Sequence, residues 1–269
     1  MVTLTQESTT AAYDALAPFY DRYMHGQPFT RWLAHLERIA LGHGLRGSRL
    51  LDVACGTGQS FLPMVERGYE VTACDISPAM VDLAQAAAGN DADVFVADAR
   101  DLPTVGRFDL VTCLNDSLNY VIAHEDLLAA FRGMANNLRP GGLLVFDLLS
   151  LRTFRGDGSD MAAEADGAFF CWRGQAAADA PAGSIAGAVV EVFATDDGDC
   201  WRRTSIPHLQ RHHTPELVER LLREAGFDVL ERRGQMSAAR IDPVADEELH
   251  FKVVYFARRS ATSPPAGDD

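Results

Sequence analysis

The 269-residue sequence is poor in positive charge, with 24 Lys and Arg against 38 Asp and Glu and a formal net charge of −14. Proteins that hold nucleic acid neutralise its phosphates with a basic face. Here the doublets Arg202-Arg203 and Arg232-Arg233 stand isolated, so no nucleic-acid partner is expected. There is also no run of about 18 apolar residues, the length that spans a bilayer, and no membrane partner is expected. Met1 to Thr10 is polar and lacks the apolar centre of a signal peptide, which points to a cytoplasmic protein. The five cysteines form no C-x-x-C pair; Cys55, Cys74 and Cys113 read as reduced, small apolar residues. No set of His, Asp and Glu has metal-ligand spacing, so no metal is expected. With 47% apolar residues the chain can still bury a full core.

What the sequence does hold is a strand–turn–helix–strand signature. The run Leu50-Leu51-Asp52-Val53-Ala54-Cys55-Gly56-Thr57-Gly58-Gln59-Ser60 ends an apolar strand in an acid and a glycine-rich turn. Such a turn leads into a helix whose free N–H groups face a ligand. One helix length later Val71-Thr72-Ala73-Cys74-Asp75 ends in an acid placed to accept from ribose hydroxyls. A dinucleotide fingerprint needs a third glycine where Phe61 stands.

The D-x-A/G-x-G-x-G arrangement of residues 52 to 58 resembles instead the turn of the class I S-adenosylmethionine-dependent methyltransferases, with Ala54 in place of the first glycine. The resemblance continues in register over roughly residues 12 to 150. Ser77-Pro78-Ala79-Met80 starts a helix with a serine cap and an early proline. Ala92 to Ala97 is a third strand ending in Asp98-Ala99-Arg100-Asp101. Phe108 to Leu114 is a fourth, turning polar at Asn115-Asp116-Ser117-Leu118-Asn119-Tyr120. A helix from Glu125 to Leu138 is stopped by Arg139-Pro140-Gly141-Gly142, which leads into strand five.

The resemblance implies an α/β fold: a Rossmann-like seven-stranded methyltransferase sheet with helices on both faces and an inserted antiparallel β lid. It implies S-adenosylmethionine as cofactor and S-adenosylhomocysteine as product. Carried over residue by residue, the cofactor contacts are Tyr13, Tyr20, Asp52, Ala54, Gly56, Thr57, Gly58, Asp75, Ile76, Met80, Asp98, Ala99, Arg100, Leu114, Asn115, Asp116 and Ser117. Asp75 takes the ribose, and Asp98 with the Ala99 N–H takes the adenine.

Tyr13-Asp14-Ala15-Leu16-Ala17-Pro18-Phe19-Tyr20-Asp21-Arg22-Tyr23 resembles the opening Y-D-x-x-A-x-x-Y-D-x-x-Y of small-molecule methyltransferases of the glycine and amino-sugar type. In those enzymes this helix folds over the cofactor, which makes Tyr20, then Tyr13, the lid tyrosines. The following helix, Thr30 to Gly42 with Trp32, Leu33, Leu36, Ile39 and Ala40 at helical spacing, reads as packing.

After strand five, Arg155 to Gly167 reads as a mobile loop. Ala168–Trp172, Ile185–Thr195 and Cys200–His212 then read as three lid strands, with Asp196 to Asp199 as a turn. Alternation puts Thr204, Ile206, His208, Gln210 and His212 on one face. If that face looks into the pocket, His208 and Gln210 hold the acceptor and His208 takes a proton from it. Asn119 and Tyr120 complete the acceptor contacts; Tyr20, His208 and Asn115 are the catalytic candidates. The chain then divides into an N-terminal helical lid (1–45), a cofactor-binding core (46–150), a lid insertion (151–212), the C-terminal part of the core (213–259) and a disordered tail (260–269). The last core segment contains the helix Pro215–Glu224 and strands at Phe227 and His250. His213 belongs with the Thr214-Pro215 cap.

The expected function is methyl transfer to a small-molecule acceptor, most consistently an amine nitrogen in secondary metabolism such as antibiotic biosynthesis. Transfer to a hydroxyl or carboxylate oxygen, and a cofactor-binding regulatory subunit without activity, remain as alternatives; RNA modification is disfavoured by charge. The lid strands offer edges for a homodimer or higher homo-oligomer.

Overall fold

The computed structural model describes residues 6–156, 161–195, 199–237 and 240–261. Part of the lid turn expected at Asp196 and the tail beyond residue 261 lie outside the described residues. The chain opens with two helices, α1 (Gln6–Tyr23) and α2 (Phe29–Gly42). Alternating strands and helices follow: β1 (Arg49–Val53), α3 (Leu62–Val65), β2 (Glu70–Asp75), α4 (Pro78–Ala88), β3 (Ala92–Val96), β4 (Phe108–Cys113), α5 (His124–Asn137) and β5 (Leu138–Leu149). A short α6 (Leu151–Phe154) leads to β6 (Met161–Ala165), β7 (Ala168–Gly174), β8 (Ile185–Ala194) and β9 (Arg202–Arg211). The chain closes with α7 (Pro215–Glu224), β10 (Phe227–Ser237), β11 (Arg240–Asp242) and β12 (Lys252–Arg259).

The main sheet runs β11-β10-β12-β5-β4-β1-β2-β3. Strands β1 to β5 are mutually parallel, and β12 lies antiparallel between β5 and β10. These are the seven strands read from the sequence, plus the three-residue β11 at one edge. Near-continuous apolar runs such as Leu50-Leu51 and Leu143 to Phe146 are required because both faces are covered. On one face Leu127, Phe131 and Met134 of α5 and Val218, Leu221 and Leu222 of α7 form a buried cluster with the sheet. On the other, Trp32, Leu33 and Leu36 of α2 and Ala84 and Ala88 of α4 do the same.

Local chemistry sets the boundaries. Ser77 caps α4, its Oγ accepting from Met80 N at 3.2 Å, and Thr214 caps α7. The helix expected after the glycine turn is a single turn, α3. Phe61 explains the departure from a dinucleotide fold: its ring is buried beneath the turn, 3.1 Å from where a Cβ on Gly58 would sit.

The lid is a second sheet in the order β6-β7-β8-β9. It has one strand more than the sequence suggested, because part of the stretch expected as a mobile loop pairs with β7 as β6. Its inner face, Ala168, Phe170, Val190, Val192 and Ile206, packs on Ala12 and Leu16 of α1. The lid therefore presses α1 toward the carboxyl ends of the parallel strands. Among the described residues no helix is long and apolar enough to cross a membrane.

Candidate active site

Two cavities meet above the carboxyl edge of the main sheet. The first, about 590 Å³, is floored by the ends of β1 to β4 and roofed by Thr9, Tyr13 and Tyr20 of α1. Its floor is built by backbone that only certain residues tolerate. Ala54 and Gly56 sit at φ +59° and +54°, the left-handed region, and a Cβ on Gly56 would come within 3.6 Å of the Tyr20 ring. Asp75, 7% exposed, holds this turn: its Oδ2 accepts from Gly56 N at 2.8 Å and its Oδ1 from Ser77 N at 2.9 Å. A carboxylate has about four acceptor positions, so two remain for a ligand. Burial raises the Asp75 carboxyl above its ordinary value, and the backbone N–H donors oppose that shift.

Two aspartates fasten α1 over this cavity. Asp14 Oδ1 accepts from Ser77 Oγ at 2.5 Å and from Ala79 N at 3.3 Å, at the positive end of α4. Asp21 Oδ1 accepts from Thr57 Oγ1 and from Gln59 Nε2, each at 2.6 Å. Seven residues is close to two helical turns, so the Y-D repeat puts both tyrosines on one helical stripe and both aspartates on the next.

The second cavity, about 550 Å³, lies between the lid and the ends of β5, β10 and β12. Tyr13, Tyr20, Phe29, Asn115 and Tyr120 line both cavities and form the wall between them. Within the wall the Tyr13 ring packs edge-on against Tyr120, centroids 5.4 Å apart, and the Tyr120 hydroxyl lies 3.1 Å from His208 Nδ1. One ring nitrogen of neutral His208 is thus engaged by Tyr120, and the other, Nε2, is left for another partner. Trp172 lies beside the imidazole, ring centroids 5.1 Å apart. Burial pushes His208 down to about 4, which keeps it neutral at pH 7 but makes it a weak proton acceptor.

The wall stands on a buried charge cluster. Asn115 and Asp116 both have positive φ, and their N–H groups donate to the Asp147 carboxylate at 2.7 and 3.1 Å. Lys252 Nζ reaches Asp116 Oδ1 at 2.5 Å, Asp147 Oδ2 at 3.0 Å and Asn115 Oδ1 at 3.4 Å. Asn and Asp are the non-glycine residues that tolerate this conformation, and Asp147 with Lys252 locks it.

A methyltransferase-domain family model matches residues 50–142, the segment that carries the floor of the first cavity. That segment is a methyltransferase domain, and the chain carrying it is a methyltransferase. Among curated proteins it is 28% identical to the putative methyltransferase YqeM of Bacillus subtilis over 253 residues, 89% of this chain and 96% of that one. Other curated methyltransferases match over about half of their own length. Among solved structures, an S-adenosylmethionine-dependent methyltransferase from Clostridium acetobutylicum superposes with a TM-score of 0.77 at 22% identity, covering 92% of this chain and 99% of that one. The sugar N-methyltransferase KedS8 of Streptoalloteichus gives a TM-score of 0.73 at 22% identity, with 97% of each chain covered.

The methyltransferase uses S-adenosylmethionine, and the first cavity fits that molecule: an acid with acceptor capacity to spare, and a turn whose backbone reaches the cavity without side chains in the way. Of the residues named for the cofactor, Tyr13, Tyr20, Ala54, Gly56, Asp75, Ile76, Asp98, Ala99, Arg100, Leu114, Asn115 and Ser117 line it. Asp52, Thr57, Gly58 and Met80 do not. Asp52 is fully buried and accepts from Ser60 Oγ at 2.5 Å and Thr112 Oγ1 at 2.6 Å, so it ties β1 to the turn and to β4. Thr57 serves the α1 fastening, Gly58 covers Phe61, and the Met80 side chain is wholly in the core.

Asp116 faces the second cavity, together with Tyr120, His208 and Gln210. Asn119 lines neither cavity; it donates to Arg211 O at 2.7 Å and accepts from Leu149 N at 3.0 Å, joining the sheet to the lid. His212, on the same lid face as His208, instead meets Glu247 at 2.9 Å. Three residues of the second cavity were not legible as site residues: Trp32, read as packing, and Lys252 and Gln235, which carried no assignment. A single lysine within the apolar run of β12 is the one signal that pointed to an internal partner. Among the described residues, no group of three or more His, Cys, Asp and Glu is arranged to hold a metal ion.

Proposed function

We propose that this methyltransferase transfers the methyl group of S-adenosylmethionine to an amine nitrogen of a small molecule held in the second cavity. The observation that carries this reading is the face of the second cavity beside that wall, where neither His208 nor Asp116 is a free base. His208 is held neutral with a depressed proton affinity, and Asp116 is engaged by Lys252. An alcohol needs a base in the site to become nucleophilic, whereas an amine that has released its ammonium proton to solvent presents a lone pair unaided; a carboxylate also needs no base. Between those two, the likeness to a sugar N-methyltransferase supports the amine.

In this reading Asp75 holds the ribose, Asp98 and the Ala99 N–H hold the adenine, and α1 closes over both. The cofactor supplies a sulfonium-activated methyl group. The chain's part is alignment and exclusion of water, a proximity effect. Tyr13, Tyr20 and Tyr120 surround the transfer point with ring faces and edges that suit a developing cationic amine. Asn115, held by Asp147 through its N–H and by Lys252 through its Oδ1, fixes the wall.

The test is incubation of the protein with methyl-deuterated S-adenosylmethionine and a panel of amino sugars and hydroxylated amines, with fragmentation mass spectrometry of the products. Label on nitrogen is expected. The variant His208→Asn should keep kcat within about tenfold, and no wild-type kcat limb between pH 5 and 8 should vanish with it. Label on oxygen, or such a limb lost together with a hundredfold fall in kcat, would replace the amine reading with oxygen transfer.

A further inference from the structure

Three buried polar groups reach the second cavity without a partner. Trp32 Nε1 on α2, His208 Nε2 on β9 and Gln235 Oε1 on β10 have no hydrogen-bond partner, although the residues are only 2%, 2% and 6% exposed. All three residues line this one cavity. Buried polar groups in folded proteins are nearly always satisfied, and groups from three separate elements that converge unsatisfied on one cavity point to a ligand.

The chemistry of the three defines the ligand. Trp32 Nε1 is a donor only, Gln235 Oε1 is an acceptor only, and His208 Nε2 takes whichever role its partner at Nδ1 leaves it. A hydroxyl both accepts and donates, so a ring bearing several hydroxyls satisfies all three. Charge decides what the ligand lacks. Among the described residues lining the cavity, Lys252 is the only Lys or Arg, and it is held between Asp116 and Asp147. The trio carries one net negative charge. A diphosphate is held most strongly by guanidinium or ammonium donors, and none stands free along this lining.

We infer that the acceptor is a hydroxylated amine without a phosphate, held by Trp32, His208 and Gln235: an amino sugar free or joined to an aglycone, as opposed to one still carried on a nucleoside diphosphate. The inference rests on the amine reading above. It makes Trp32 and Gln235 determinants of acceptor specificity, and it places the enzyme after the step that releases or transfers the sugar from its nucleotide.

The full-length protein loaded with S-adenosylhomocysteine is titrated calorimetrically with two probes that share one amine, methyl glucosaminide and uridine-diphosphate glucosamine. The glycoside should bind saturably and at least tenfold more tightly. Trp32→Phe and Gln235→Leu should each weaken glycoside binding at least fivefold while affinity for S-adenosylhomocysteine and the melting temperature hold. Gln235→Glu keeps an acceptor oxygen in place and should restore binding. Equal or tighter binding of the nucleotide-linked sugar, no binding of either probe, or unchanged glycoside affinity in both variants would overturn the inference. Adding labelled S-adenosylmethionine to the same mixtures separates the two claims. Nitrogen methylation of the nucleotide-linked sugar defeats the inference and leaves the amine reading standing; oxygen methylation of either sugar defeats both.

Discussion

Asp52, Asp75 and Asp147 sit at or near the carboxyl ends of β1, β2 and β5, and their surroundings give them different work. Asp75 borders the first cavity, Asp147 receives the two N–H groups of the left-handed Asn115-Asp116 turn, and Asp52 receives two hydroxyls in the core. Burial pushes the Asp52 carboxyl up to about 6 from 3.8, against the two hydroxyl donors. The folded state then binds more protons than the unfolded chain between those values, so stability falls as pH rises from about 4 through 6. Asp52→Asn should remove this decline. Chemical denaturation across pH 4 to 7 should show the variant gaining on the order of 3 kcal/mol relative to wild type over that interval. A parallel pH dependence of the two proteins would contradict the assignment. At this scale the sequence revealed which residues are polar at strand ends but not which way they face. Asp52 lies in the core and lines neither cavity, and Trp32, packed as its helix predicts, also borders the second cavity.

Helix α1 is held on both sides by different forces. The lid sheet packs on Ala12 and Leu16, while Asp14 and Asp21 fasten the opposite side to α4 and to the glycine turn. The second fastening consists of a few hydrogen bonds to carboxylates, each contributing about 1.5–3 kcal/mol. Asp14→Ala and Asp21→Ala together should speed amide hydrogen exchange across residues 9–23 and weaken cofactor binding, while exchange in the main-sheet strands stays as in wild type. Unchanged exchange in α1 would remove the fastening role. The periodicities that define elements were read well: α7 matches its sequence bounds, and the two-residue alternation of β9 correctly set Ile206, His208 and Gln210 on the buried face. The elements misjudged were α3, shortened to one turn, and β6, whose Ala- and Glu-containing sequence has no strand signal of its own and becomes a strand through pairing with β7. Propensity is weak where pairing decides.

Over the whole molecule, the parallel sheet supplies a fixed edge and the added lid supplies a second chamber, and in the proposed reading recognition of cofactor and of acceptor fall to different residues. Asp75 and the glycine turn belong to one chamber, Trp32, His208 and Gln235 to the other, and the tyrosines with Asn115 to both. The sheet and its cofactor turn were legible because their motifs are local in sequence. The second chamber was not, because it is assembled from α1, α2, β10, β12 and the lid, elements that come together only in the fold. The division of labour between the chambers is the central claim, and a calorimetric titration with S-adenosylhomocysteine of wild type, Asp75→Ala, His208→Asn and Gln235→Leu tests it most directly. Asp75→Ala should lose about 1–3 kcal/mol of binding through its charge-assisted hydrogen bonds, with the two other variants indistinguishable from wild type. Wild-type affinity in Asp75→Ala, or losses as large in His208→Asn and Gln235→Leu, would contradict it.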